Sequence, residues 1–237
     1  MSSYAVFAPF YDAAMGDMSD KVTFLKKLLI EKAPEAQTVL ELACGTGMIM
    51  HELSSTYTVS GLDLSPEMIA TAKAKMPEAQ LKVGDMSTFS LSKTFDVILC
   101  VFDSVNHLLE WNDWRSMFQA VHEHLQDGGL FIFDTNTPER LEWLADSPSF
   151  SKQIGADYMV MDVQPADKSF NWEVKIFQHQ QGNQFVLHEE VIPEVSFPVE
   201  DIQKELEENF TVEDIIDVRN LEPTDPNWRP FFICRKK

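Results

Sequence analysis

Basic residues are scarce in this chain. Its 237 residues include 38 Asp and Glu against 19 Lys and Arg, a formal net charge of −19. A nucleic-acid backbone and an anionic membrane both need clustered Lys and Arg, so the balance argues against either as a partner. The same charge also suffices as a solubility device. Cysteine is nearly lacking: Cys44, Cys100 and Cys234 lie far apart, with no C-x-x-C pair and no neighbouring His at zinc spacing, so no metal site is expected. The first 20 residues hold Asp12, Asp17 and Asp20 but no basic n-region, so no secretory signal is expected. Together with an odd cysteine count this places the protein in a reducing cytoplasm. No apolar run approaches the ~20 residues of a bilayer span. What is present, 44% hydrophobic and 24% charged residues, argues against disorder despite the charge. The expectation is a soluble protein, monomer or homodimer, with one large domain or a domain carrying an insertion.

Apolar periodicity organises the first part of the chain as alternating strands and helices. Val22, Leu25, Leu28 and Leu29 recur at helical spacing over 21–31, and Pro34 ends that helix. A strand over 38–42 runs into the turn Gly45-Thr46-Gly47, and a helix over 48–54 follows. A strand over 58–63 precedes Ser65-Pro66, a serine N-cap with proline at the first helical position, and a helix to about 75. Strands over 80–83, 95–101 and 130–133 complete the pattern, with a helix over 111–125 in which His122 and His124 are read as solvated. This alternation predicts a parallel, doubly wound α/β sheet. After Phe150 the pattern changes to β segments over 156–163, 170–180 and 184–196 with no intervening helix, so an antiparallel layer is expected. An acidic helix over 198–209 and strands over 211–219 and 228–235 close the chain.

Chemistry gathers where strands hand over to helices. Glu41-Leu-Ala-Cys-Gly45-Thr-Gly47 occupies such a point, and ligands of open α/β sheets bind outside the carboxyl ends of strands. A dinucleotide fingerprint wants a third small residue three positions after Gly47, but Met50 stands there, which argues against an NAD-dependent oxidoreductase. Asp63 ends the second strand, 18 positions after Gly45, where a carboxylate can accept from two ribose hydroxyls. Asp85, in Gly84-Asp85-Met86, could accept from an adenine amino group; a helix cap for Asp63 and an Asx turn for Asp85 are the competing local roles.

The ordered set Glu41–Gly47, Gly61-Leu-Asp63-Leu-Ser-Pro-Glu-Met68, Gly84-Asp85-Met86, 95–101 and 125–133 resembles the class I S-adenosylmethionine-dependent methyltransferases. The resemblance implies a Rossmann-like seven-stranded sheet whose last strand is antiparallel, with S-adenosyl-L-methionine as cofactor. It implies that Glu41 faces the methionine end, that Ala43, Gly45 and Gly47 pass beneath it, and that Asp63 and Leu64 meet the ribose. Asp85 and Met86 then meet the adenine, with Cys100 and Val101 under the cofactor. The sulfonium and ammonium of that molecule suit an acidic lining.

A narrower resemblance is to aminosugar N,N-dimethyltransferases. It is carried by Tyr4-Ala-Val-Phe-Ala-Pro-Phe-Tyr11-Asp12, by Phe102-Asp-Ser-Val-Asn-His107-Leu and by the β segments after Phe150. It implies a cofactor-binding domain of residues 1–147 and 197–237, a lid over 1–20, and a substrate-covering subdomain over 148–196. The acceptor is then a small molecule, preferably an amine, with Tyr11 and His107 as catalytic candidates; an O- or C-acceptor is the alternative. An imidazole near its ordinary pKa of ~6.5 can take the proton an amine loses. The insertion departs from a pyrophosphate-binding pattern: between Phe150 and Pro198 there is no Arg, only Lys152, Lys168 and Lys175, against carboxylates such as Glu189, Glu190 and Glu194. Trp143, Tyr158, Trp172 and Phe177 are candidates for an acceptor pocket or for the core of the insertion. The loop after the fourth strand, Val101-Phe-Asp-Ser104, lacks the Asn-Pro-Pro-aromatic motif of nucleic-acid amino-methylating enzymes.

Overall fold

A computed structural model of the chain describes Tyr4, residues 6–217 and residues 229–237. Its elements are α1 (Tyr11–Met15), α2 (Ser19–Lys32), β1 (Thr38–Leu42), α3 (Met48–Leu53), β2 (Thr58–Asp63), α4 (Pro66–Lys75), β3 (Gln80–Val83), β4 (Phe95–Cys100), α5 (Trp111–His124) and β5 (Leu125–Asp134). They continue with α6 (Pro138–Ala145), β6 (Phe150–Ile154), β7 (Asp157–Pro165), β8 (Phe170–His179), β9 (Phe185–Glu194), α7 (Val199–Leu206), β10 (Phe210–Asp217) and β11 (Pro230–Lys236). Two helix starts follow their local chemistry. The Ser65 hydroxyl accepts from Met68 N ahead of Pro66, and the Thr137 hydroxyl accepts from Arg140 N ahead of Pro138.

Seven strands form one sheet in the order β10-β11-β5-β4-β1-β2-β3. From β5 to β3 neighbours pair in parallel, while β11 runs antiparallel to both β5 and β10. The chain winds outward from β1 in both directions, so the crevice between the ends of β1 and β4 is the topological switch point. The apolar runs of the central strands divide by a period of two. Leu40, Ile98, Phe131, Phe133 and Phe232 meet α5 and α7 through Trp114, Phe118, Ile202 and Leu206. Val39, Val97, Leu99, Ile132 and Ile233 meet α2, α3 and α4 through Leu25, Leu29, Leu53 and Ile69. Both faces being covered is what makes these strands read as unbroken apolar segments.

A second, wholly antiparallel sheet has the order β6-β7-β8-β9. Met159, Val174, Ile176 and Ile192 on one of its faces pack against Phe7 and Ala14 of the N-terminal segment. Polar bonds fasten that segment on both sides. Phe7 N donates to Glu190 Oε2 at 2.9 Å and Lys152 Nζ to Ala14 O at 2.7 Å. Asp12 accepts from the Thr46 hydroxyl and pairs with Lys75.

The structure departs from the sequence reading in three places. The second sheet has four strands rather than three, and α6 precedes it. Leu141 is the one buried side chain of α6, so no helical period marks it, and β6 is short with only two apolar residues. His124 is buried, not solvated: its Nε2 accepts from Leu91 N at 2.8 Å and its Nδ1 donates to Ala120 O at 2.7 Å. With both nitrogens bonded, the ring can face the core. The expected strand ends at 218–219 and 228 lie outside the described residues.

Met50, whose side chain needs space, finds it at Gly61 of β2. A Cβ at position 61 would stand 2.5 Å from Met50 Sδ, 2.7 Å from Cys44 Sγ and 2.9 Å from Leu81 Cδ2. Overpacking of this kind costs about 1–3 kcal/mol, so Gly61→Ala should lower the urea midpoint accordingly. Combining it with Met50→Ala should cost less than the two single changes summed. Full additivity would show that the two positions do not compete for space.

Candidate cofactor and acceptor site

Three non-glycine residues at the switch point have left-handed backbones: Ala43 after β1 (φ 51°), and Phe102 and Asp103 after β4 (φ 65° and 51°). Such conformations cost about 1–3 kcal/mol each and persist only where the surroundings hold them. Asp134, at the end of β5, holds the second pair. Its fully buried carboxylate accepts from Phe102 N at 2.6 Å and Asp103 N at 3.1 Å. Arg229 Nε lies 2.5 Å from it, and burial still lifts the carboxyl to about 6.

A cavity of about 500 Å³ opens at the carboxyl ends of β1 to β4. Ala43, Gly45, Asp63, Leu64, Asp85 and Met86 border it, and so do Tyr11 and His107. Asp63 Oδ2 accepts from Gly45 N at 2.7 Å and Oδ1 from Ser65 N at 2.8 Å, which fixes the glycine loop against β2. Each oxygen keeps a second lone pair for a ligand. Burial raises the Asp63 carboxyl, against the two amides that lower it. Asp85, exposed on the cavity wall, closes an Asx turn through Oδ1, which accepts from Ser87 N at 2.8 Å and Ser87 Oγ at 2.7 Å.

Glu41 is only 4% exposed, and its Oε2 has no hydrogen-bond partner among the described residues. It faces a pocket of about 30 Å³ shared with Tyr11, Gly45 and Val101. Burial pushes its carboxyl up to about 8, although the Met50 amide pulls the other way. An orphaned carboxylate oxygen calls for a cation. Around the larger cavity Asp63, Asp85 and Asp113 are joined by no Lys or Arg among the described residues. The lining therefore fits a ligand that carries positive charge and hydroxyl donors, and it is ill matched to a pyrophosphate.

A family model described as "Methyltransferase domain" matches residues 39–129. A crystal structure of an S-adenosylmethionine-dependent methyltransferase from Clostridium acetobutylicum superimposes with a TM-score of 0.86, at 26% identity and over 98% of each chain. In this domain and in its fold the chain is similar to the class I S-adenosylmethionine-dependent methyltransferases. It is similar also to a dTDP-3-amino-3,6-dideoxy-α-D-glucopyranose N,N-dimethyltransferase of Streptomyces fradiae, 34% identical over 111 residues. That match spans 46% of this chain and 44% of the relative. The fold is shared too with an amino pentose methyltransferase from Micromonospora echinaspora in a structure with S-adenosylmethionine bound (TM-score 0.82, 20% identity, 100% of this chain and 99% of the other).

The structure brings most of the residues anticipated for the cofactor to one place, and at two of them a packing role is visible. Gly47 serves packing: at φ 78°, a Cβ there would lie 2.5 Å from Met76 Cε and 3.3 Å from Ala72 Cβ of α4. Cys100 is fully buried behind the wall, its Sγ 3.8 Å from Met86 Sδ, and its neighbour Val101 borders only the small pocket. On the acceptor side His107, in a 3-10 turn over Ser104–His107, lies 3.4 Å through Nδ1 from Pro193 O and 3.0 Å through Nε2 from the Tyr4 hydroxyl. Burial lowers its pKa, while Asp103 and Asp63 pull it back up. Burial raises Tyr11, and Asp103, Asp63 and Glu41 add to the rise, so its phenol stays protonated. Trp172 packs at the edge of the inner cluster of the second sheet, but Trp143 is 56% and Tyr158 45% exposed, so neither belongs to the core. Phe177 pairs with Tyr158 across β7 and β8 on the outer face.

Sequence reasoning missed the buried polar set that supports this side: Asn106, Asp134, Thr135, Asn136 and Glu194, none more than 3% exposed. Its one signal is the run Asp134-Thr-Asn-Thr137 after an apolar strand, which reads as an ordinary loop.

Glu41 binds its proton more tightly in the folded chain than when unfolded, as does Glu194, also raised to about 8 by burial. Their contribution to the stability of the ligand-free protein is therefore fully present below about 4.5, the ordinary glutamate value, and is lost as pH rises toward about 8. Glu41→Gln should raise stability at pH 8 by at least about 1 kcal/mol while weakening S-adenosylmethionine binding tenfold or more. Thermal melts with and without cofactor at pH 6 and 8 read both effects. A destabilised variant that still binds normally contradicts this assignment.

Proposed function

We propose that this methyltransferase methylates the amine nitrogen of a small molecule. The observation that carries the reading is the charge of the acceptor side. Asp63 and Asp103 both act on Tyr4 and on Tyr11, and Asp63, Asp85 and Asp113 line the cavity beside them. Among the described residues the nearby cations are already engaged: Arg229 with Asp134 and Asp103, Arg140 through Nε with Asn136 Oδ1 at 2.8 Å, and Lys21 over the Phe102 ring at 4.3 Å. Such surroundings attract a protonated amine and disfavour an anionic acceptor. When bound, S-adenosylmethionine supplies an electrophilic methyl group on a sulfonium.

In this reading Glu41 holds the amino-acid end of the cofactor, Gly45 offers backbone beside it, and Asp63 with Leu64 takes the ribose. Asp85 and Met86 meet the adenine, and Ala43 and Val101 flank the methionine arm. Tyr11 packs its ring against Phe7 (centroids 5.5 Å apart) and presents its hydroxyl to the acceptor. His107, kept neutral by burial, is the base. Displacement at a methyl group gains most from alignment in a site without bulk water, so the remaining residues act by shape. The four-stranded sheet over Phe150–Glu194 and the N-terminal segment cover the acceptor.

A sugar amine is supported by the names of the relatives, whereas a nucleotide-linked one is disfavoured by where the lysines of the insertion point. Lys152 is spent on Ala14 O, and Lys175 on Glu173 at 3.2 Å. Two measurements test the reading. Calorimetry with S-adenosylhomocysteine should give saturable one-to-one binding. Tritiated-methyl transfer across amines, phenols and carboxylates, including glucosamine and a dTDP-linked aminosugar, should label amines. Labelling of phenols or carboxylates alone refutes the amine acceptor while leaving the cofactor assignment intact.

A further inference from the structure

Tyr4 and His107, 103 positions apart in the chain, meet at the cavity wall. The Tyr4 Oη to His107 Nε2 distance is 3.0 Å, and the rings meet edge-on with centroids 5.5 Å apart. On the far side of the imidazole, Nδ1 lies 3.4 Å from the Pro193 carbonyl. A carbonyl only accepts, so the hydrogen of the neutral ring is on Nδ1 and the Nε2 lone pair points to Tyr4. The Tyr4 hydroxyl is therefore the donor of the 3.0 Å bond, and its own lone pairs are left for the cavity. Tyr11 has no such arrangement: among the described residues its hydroxyl bonds to no base, and its ring stands edge-on to Tyr4 at 6.0 Å.

We propose that Tyr4 and His107 form a two-group proton relay, in which Tyr4 touches the acceptor nitrogen and His107 stores the proton. An acceptor ammonium has no lone pair until it sheds a proton. In the relay one N–H bond of the ammonium breaks and an O–H bond forms at Tyr4 Oη. The original Tyr4 O–H breaks at the same time, and an N–H bond forms at His107 Nε2. The acceptor is left neutral with a free electron pair, Tyr4 is unchanged, and His107 becomes an imidazolium. Solvent takes that proton after the product leaves.

The groups around the pair suit this division of labour. Burial, Tyr11, Glu194, Asp103 and Asp63 all oppose ionisation of Tyr4, so the phenol passes a proton without resting as a phenolate. Asp103, on the loop before the His107 turn, and Asp63, at the end of β2, stabilise the imidazolium against the burial that disfavours it. Tyr4 is thereby a catalytic residue in contact with substrate, a role the motif Tyr4–Asp12 did not distinguish from that of Tyr11.

The relay rests on the amine reading, and the test separates the two. Tyr4→Phe, His107→Gln, Tyr11→Phe and the Tyr4→Phe/His107→Gln double variant are assayed by tritiated-methyl transfer to the fastest amine of the panel between pH 5 and 9. Wild-type kcat should fall on the acid side with a midpoint below the ordinary imidazole value of ~6.5. Tyr4→Phe and His107→Gln should each lower kcat about 100-fold, in the range expected of general acid–base catalysis, and abolish that acid limb. The double variant should be no slower than either, and Tyr11→Phe should keep the limb. Affinity for S-adenosylhomocysteine should stay within about twofold in Tyr4→Phe, which reports an intact cofactor site. The ¹⁵N shifts of labelled His107 should show Nδ1–H in wild type and a displaced Nε2 resonance in Tyr4→Phe, whatever the acceptor. Transfer to no amine by wild type overturns the amine reading. Normal wild-type transfer with an unchanged kcat or a surviving acid limb in Tyr4→Phe, or an unmoved Nε2 resonance, overturns the relay.

Discussion

A buried polar network at the ends of β4, β5 and β9 fixes the side of the cavity that carries His107. Asn106, fully buried, donates through Nδ2 to Asn136 O and Val195 O and accepts at Oδ1 from Thr135 Oγ1 and Asn136 N. Asn136 Nδ2 in turn donates to Asp103 Oδ2 at 2.7 Å and Glu194 Oε2 at 2.9 Å. Each bond is modest by itself, but a buried polar group left unpaired costs ~1–3 kcal/mol, so no member can move without stranding another. Three segments distant in sequence are thereby locked together: the turn that carries His107, the loop after β5 and the end of the inserted sheet. The left-handed Phe102 and Asp103 are part of the same lock, through the Asp134 carboxylate.

The cofactor side obeys a different constraint, that of charge without compensation. Among the described residues Glu41 has an oxygen with no partner, while Asp63 bonds only to backbone amides and Asp85 only to Ser87. A site made this way stores an electrostatic demand that the protein alone does not satisfy, and a cationic ligand removes it. The net charge of −19 thus has two components of unequal specificity. Carboxylates on exposed helix faces such as Glu200 and Asp201 of α7 favour solvation, whereas Asp134 and Glu194 are bonded inside the fold and Glu41 is left with an orphaned oxygen among the described residues.

The sheet was legible because its central strands alternate against two covered faces and its helices begin at recognisable caps. Ser65-Pro66 and the glycine loop marked the cofactor side for the same reason: local chemistry there is dictated by local geometry. What stayed hidden was long-range. Tyr4 and His107 are 103 residues apart, and nothing near either one signals the other. The polar network likewise consists of ordinary Asn, Asp and Glu residues whose meaning lies only in being assembled under cover. Gly47 carries a further constraint that its motif does not announce, since a Cβ there would meet Met76 and Ala72 of α4 and the turn after it. The aromatic residues of the insertion misled because an aromatic on a strand has two faces to choose from, and Tyr158 and Phe177 take the outer one.

The inserted sheet bears on the acceptor side mainly through what it holds. Its apolar face receives Phe7 and Ala14, Glu190 takes the Phe7 amide and Lys152 takes the Ala14 carbonyl. Those contacts seat the segment from which Tyr4 and Tyr11 project, while Asp12 ties the same segment to Thr46 beside the glycine loop and to Lys75 on α4. The N-terminal segment is therefore braced from both sheets, and its two tyrosines reach the cavity only where both braces are made. Pro193 and Val195 add a third connection, since their carbonyls meet His107 and Asn106 directly. The inserted sheet thus meets the cavity through backbone and bracing contacts rather than through the side chains of its outer face.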